Sequence, residues 1–314
     1  MSSSWAMPGA SAPQPSRPVD VDTPSSTAAS GPSAGAAPLP PPPVPLRPMT
    51  IPDLLDGSFD ILKRRPRDVL ILATVFVVPI QVLSAVLLRD VIGGGGFAGT
   101  GLGDTTSTLG FGESGELTGA GTLAATLVAS MSSLALLTGA MTMLVHDWYA
   151  GVRRAPSVIV LATLRRAPAL LVAVVVVHVL EVVGLVGLGI GAYIVMAFLQ
   201  IVSPVVVAEH VGPFRALVRS TQLTGTRFWR SMGVPLLVGL LSTIVGFGFQ
   251  LIPEVATLVV ADDWNWLIRS AGSTFSELVV APFTAGVAIL YHLDLRSRSE
   301  GYDIQRRVQA LIEP

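Results

Sequence analysis

Residues 169–208 read ALLVAVVVVHVLEVVGLVGLGIGAYIVMAFLQIVSPVVVA, a run with no Lys, Arg or Asp and a single Glu. As one helix it would be roughly 60 Å long, about twice the hydrocarbon thickness of a bilayer. Gly184, Gly187, Gly189 and Gly191 gather at its middle, where a turn divides it into two spans of bilayer length. The stretch predicts a transmembrane hairpin. Arg165 and Arg166 precede it and Arg215 and Arg219 follow it, so both of its ends emerge on one basic side.

The rest of the chain has the same character. Of 314 residues, 51% are hydrophobic and 13% charged, and the mean hydropathy is +0.65. Soluble domains carry about a quarter charged residues, so the composition is that of an integral membrane protein. The absence of cysteine excludes disulfides, thiolate-bound zinc, haem attachment and thiol catalysis. Residues 1–45 are rich in Pro, Ala and Ser and hold too little apolar surface to offset chain entropy. They are expected to be a disordered cytoplasmic tail, and they lack the pattern of a signal peptide.

Beyond the tail, Ile51, Leu54, Leu55, Phe59 and Leu62 recur at helical spacing behind Thr50 and Pro52. A basic cluster, Lys63, Arg64, Arg65 and Arg67, leads into the apolar run Val69–Leu88. A Gly/Ser/Thr-rich loop, 89–118, connects it to a second span near Gly121–Val145. The opening recurs at Pro156 before Arg165 and Arg166, and again at Pro213 before Arg227 and Arg230. Spans near Met232–Ile252 and Ala271–Tyr291 complete the set. The expected fold is an all-α polytopic membrane protein. Its six transmembrane helices form three parallel two-helix repeats, each preceded by a cytoplasmic interfacial amphipathic helix. The membrane domain covers 46–298, and 299–314 forms a short cytoplasmic amphipathic tail. Arginine clusters crowd one side of the spans, with only Arg89 and Arg269 on the other. The positive-inside rule then puts both termini in the cytoplasm.

Three segments together resemble a known family: LRPMTIPDLLDGSF at 46–59, EHVGPFRALVRSTQLT at 209–224 and YHLDLRSRSEGYD at 291–303. They look like actinobacterial multi-pass proteins related to the membrane domain of glycerophosphoryl diester phosphodiesterases. The resemblance implies a membrane module of a bacterial plasma membrane, without the catalytic barrel, for which the chain has no room.

Within the spans each ionisable side chain is a candidate for function, because burying it in lipid is costly. His178 and Glu181 share one face of the third span, and Glu277 in the sixth reaches a similar depth. Gln81 and Gln200 fall near the same level. This polar cluster suits proton-coupled transport or cation binding, but the commoner role of such a cluster is a hydrogen-bond network that only fixes packing. Glu181 and Glu277 are expected to face each other and share a proton. At the basic ends of the returning spans stand His146/Asp147, Glu209/His210 and His292/Asp294, either metal ligands or polar terminators. Arg64, Arg65, Arg165, Arg166, Arg227 and Arg230 are candidates for contact with anionic headgroups.

No nucleophile elbow, zinc-protease helix or nucleotide fingerprint occurs. The reading is a non-enzymatic protein without cofactor. It is a membrane scaffold or envelope-associated module or, alternatively, a small proton-coupled transporter or lipid-handling protein. The expected partners are a bilayer with anionic headgroups and, for a scaffold, another membrane protein; no nucleic acid is expected. A connected polar cavity among the spans would favour the second class and a dry bundle the first.

Overall fold

The computed structural model describes residues 47–87, 116–186, 189–260, 264–302 and 304, with backbone only for 87 and 116–127. The expected disordered tail, most of the 89–118 loop and nearly all of the 299–314 tail beyond residue 302 lie outside the described residues. Among those described, the protein is 88% helical and has no strand. The helices are α1 (Ile51–Arg64), α2 (Pro66–Leu87), α3 (Glu116–Tyr149), α4 (Pro156–Leu185), α5 (Ile190–Leu199), α6 (Val202–Ala208), α7 (Pro213–Gly225), α8 (Phe228–Ala256) and α9 (Asn265–Glu300). Six segments are long and apolar enough to cross a membrane: α2, α3, α4, α5 with α6, α8 and α9. This is a multi-pass membrane protein.

Burial is unequal among the spans. The span window of α9 is 72% buried and that of α8 only 11%. α9 is therefore the axis of the bundle, packed against α1, α2, α3 and α8. Small residues allow this: Ala281, Ala285 and Gly286 are buried along it.

α1 begins in a capping box, in which Thr50 and Asp53 exchange side-chain-to-backbone hydrogen bonds. The Thr50 amide and hydroxyl hold the Asp53 carboxyl below its ordinary range. The helix ends at Arg64 with Arg65 as its cap, a position before Pro66 where helical geometry is disfavoured. Its buried face is Leu54, Gly57, Ser58 and Ile61. That face rests on α9, with Ser58 Oγ donating to the Phe283 carbonyl at 2.6 Å and Phe59 lying 4.7 Å from the Phe283 ring. Asp56, Lys63 and Arg64 on the other side are exposed.

The hairpin forms where the glycines predict it. Gly189 adopts φ 79°, a left-handed turn that needs no Cβ. Gly184 and Gly191 bring the two backbones together, since a Cβ on Gly184 would lie 2.5 Å from the Ala192 amide nitrogen.

Two expectations are corrected. No separate amphipathic helix precedes the third span, because α4 is continuous from Pro156 to Leu185, running straight through Pro168. The fourth span is broken between α5 and α6 at Gln200–Ile201. Pro204 contributes to the break, since it has no amide for the Gln200 carbonyl four residues back, but Pro168 leaves α4 continuous, so proline alone does not decide it.

Candidate functional site

The break in the fourth span exposes backbone that needs partners, and neighbouring helices supply them. The Phe198 carbonyl accepts from Ser220 Oγ at 2.7 Å and from Thr224 Oγ1 at 3.0 Å, both on α7. Gln200 Nε2 donates to the Ala197 carbonyl at 2.7 Å and to Ser231 on α8 at 3.1 Å. Irregular backbone at membrane depth survives only where protein or a cavity surrounds it. Here both conditions hold.

Beside the break lies a cavity of about 490 Å³. Five of the six spans line it, all but α2. Its walls are mostly apolar, among them Leu134, Val174, Val177, Met196 and Val238. Four of the five residues of the expected polar cluster reach it: His178, Glu181, Gln200 and Glu277. Gln81 does not, because α2 packs against the outside of α3 and α9.

Glu181 finds a different partner from the one expected. Its Oε2 lies 2.9 Å from His178 Nδ1, one turn back on the same helix. Both side chains keep about a quarter of their surface exposed (28% and 26%), while both ring nitrogens of His178 are buried. Glu277 has no hydrogen-bond or ion-pair partner among the described residues. Thr138, Ser203, Ser242 and Thr284 also line the space. These hydroxyls were not singled out from sequence, although Ser203 beside Pro204 in an apolar run marks an interrupted helix.

The residues at the basic end sort into separate groups. Asp294, fully buried, accepts from the Met49 amide at 2.6 Å and Arg298 Nε at 2.8 Å. Arg230 Nη2 lies 3.0 Å from its other oxygen. Arg230 and Arg298 both donate to the Met49 carbonyl as well. Glu209 accepts from Arg219 Nε at 3.0 Å and contacts His292 Nε2 at 3.4 Å. Burial pushes the Glu209 carboxyl up, but the His292 and Arg219 contacts outweigh it and bring it down to about 2. The three imidazole–carboxylate pairs thus do not act as equivalents, and no group of three metal-ligating side chains occurs among the described residues.

The six arginines of interest also divide. Arg65 is buried, donates twice to Asp68 and lies 5.8 Å from the Trp148 ring. Arg230 is held by Asp294 and Met49. Arg64, Arg165 and Arg227 are exposed. Arg165 and Arg166 line a second cavity near the basic end.

Comparison with known proteins finds no matching family model, no matching curated protein and no matching solved structure.

Proposed function

We propose that this multi-pass protein binds an amphiphile, a lipid or lipid-like molecule, in the cavity among its second to sixth spans and hands it on. The cavity carries the reading. Its volume of about 490 Å³ falls in the range of about 300–1,000 Å³ typical of small-molecule sites. Apolar walls suit acyl chains, while His178, Glu181, Gln200 and Glu277 offer a few polar contacts for a headgroup or a transported proton. The interrupted fourth span beside it is a feature of transport proteins. These observations support lipid handling over a passive scaffold.

In this reading the protein is non-enzymatic and sits in a bacterial plasma membrane. Its basic end and both termini are cytoplasmic, and exposed Arg227 anchors it on anionic headgroups. The three openings at Pro52, Pro156 and Pro213 support three parallel repeats, with the start of α4 standing where α1 and α7 stand in the others. The three segments quoted from the sequence support kinship with the phosphodiesterase membrane-domain family.

The test fills the cavity. Gly239 lines it, and a Cβ there meets nothing within 4 Å. In nanodiscs, Gly239→Trp is expected to reduce binding of an environment-sensitive fluorescent phospholipid at least tenfold while the thermal transition stays in place. Unchanged lipid binding by a folded variant would reject the reading.

A further inference from the structure

The second cavity, of about 700 Å³, lies at the basic ends of α3, α4 and α6. Arg154, Arg165, Arg166, His146, His210 and Asp147 are among its lining residues. From these we infer a binding site for a phosphate group, a site that stands without the amphiphile reading.

Charge is the first argument. Nine other arginines or pocket neighbours are neutralised locally: Arg47, Arg64, Arg65, Arg154, Arg219, Arg230, Arg269, Arg296 and Arg298 each lie within 4.0 Å of a carboxylate. Arg165 and Arg166, like Arg67, Arg153, Arg215 and Arg227, have no carboxylate within that reach among the described residues, and these two share one cavity. The cavity's carboxylate, Asp147, is engaged by Arg154 at 3.4 Å. Three guanidiniums against one carboxylate leave two positive charges before either imidazole is counted. A phosphomonoester carries about −1.5 to −2 at neutral pH, which matches that excess. The planar guanidinium fork also suits tetrahedral oxyanions better than an ammonium would.

Geometry is the second argument. Arg166 Nη1 donates to the Val206 carbonyl at 3.3 Å, which steadies the side chain and leaves its other donors free for a ligand. His210 adopts φ 57°, a left-handed conformation uncommon for a side-chain-bearing residue. Its Nδ1 donates to the Val207 carbonyl at 2.6 Å, which fixes the ring at the cavity wall. Against the inference stand the carbonyl ends of α3 and α6, each worth about half a negative charge. Arg166 already covers one of those carbonyls, and the guanidiniums exceed the remainder.

Two sources could supply the phosphate: a lipid headgroup or a free phosphate ion. The cavity lies one helical turn from the apolar one on the same three spans, as Thr142 follows Thr138, Ala169 precedes Val174 and Val207 follows Ser203. Leu170 and Val207 pack over Gly139 between them.

The experiment uses the full chain in lipid-free maltoside micelles. Its thermal transition is titrated separately with inorganic phosphate and with short-chain phosphatidic acid, against Arg165→Gln, Arg165→Gln/Arg166→Gln, Arg227→Gln and Gly239→Trp. The wild type is expected to bind at least one ligand. The double variant should weaken that binding tenfold or more, and Arg165→Gln alone severalfold. Arg165 is exposed and makes no hydrogen bond or ion pair among the described residues, so the single variant keeps the test valid if the double one misfolds. Arg227→Gln removes an exposed basic-end charge outside the cavity and should change affinity less than twofold. Gly239→Trp should leave phosphate binding intact, which separates this site from the amphiphile cavity. Binding of the lipid alone assigns a headgroup, and binding of the free ion as well assigns a general phosphate site. No binding of either, an undiminished Arg165→Gln variant, or an equal loss in Arg227→Gln overturns the inference.

Discussion

Glu209 sits where α6 ends, held by Arg219 and His292 and lowered to about 2 from the 4.5 of a free glutamate. A carboxyl depressed in the folded state contributes stability that is complete above the unfolded value. That stability is lost as pH falls from about 4.5 towards 2. The difference corresponds to at most about 3 kcal/mol. Thermal unfolding in detergent should therefore weaken across that window, and Glu209→Gln should flatten the dependence while lowering stability at neutral pH. A wild-type curve flat from pH 5 to 2.5 contradicts the assignment. Asp294 predicts a larger loss. It is fully buried between two arginines and a backbone amide, so Asp294→Asn leaves guanidiniums without their counter-charge. It should cost about 3–5 kcal/mol, read as a fall in transition temperature. The sequence shows Glu209 and His210 as one pair, but the structure separates them. His210 takes the left-handed conformation, and its ring goes to the second cavity while Glu209 turns to α9. Adjacent residues seldom face one partner, and only the chain path decides which way each goes.

At the scale of elements, the spans were legible because lipid demands long apolar runs, and the hairpin because glycines punctuate one. The break at Gln200–Ile201 was not. Pro204 alone makes a break locally plausible, but its tolerance depends on hydroxyls at Ser220 and Thr224, which belong to a helix later in the chain. The continuity of α4 was equally hidden, since Pro168 after two arginines reads as a boundary and the structure runs the helix through it. The hydroxyl account makes a prediction. Ser220→Ala with Thr224→Val leaves the Phe198 carbonyl without these donors, and should cost about 1–3 kcal/mol. Either single change should cost less, because the remaining hydroxyl still serves the carbonyl. A double variant as stable as wild type would show that the carbonyl needs neither.

For the whole molecule, helix content and span number followed from composition, and four of five polar-cluster residues were found together. Gln81 missed the cavity because depth along a helix is readable from sequence but the direction a span faces is not. That direction is set by which neighbours α2 packs against. The proposed orientation is testable with little background, because the chain has no cysteine. Single cysteines at Arg153 and Leu258 should react with a membrane-impermeant maleimide from opposite sides in intact cells and inverted vesicles. Labelling of both from one side would reject six crossings with this arrangement.

The clasp between Met49 and Asp294 joins residues 245 positions apart. Translation delivers α1 first and its seat on α9 last. At about 5–20 residues per second, roughly 10–50 s separate their emergence from the ribosome. Throughout that interval α1 has α2 beside it but lacks its seat on α9, and an amphipathic helix in that position can rest on the membrane surface. Closure of the clasp thus waits for the last span. A nascent chain halted before α9 should remain cleavable by protease around Met49, and a finished one should resist.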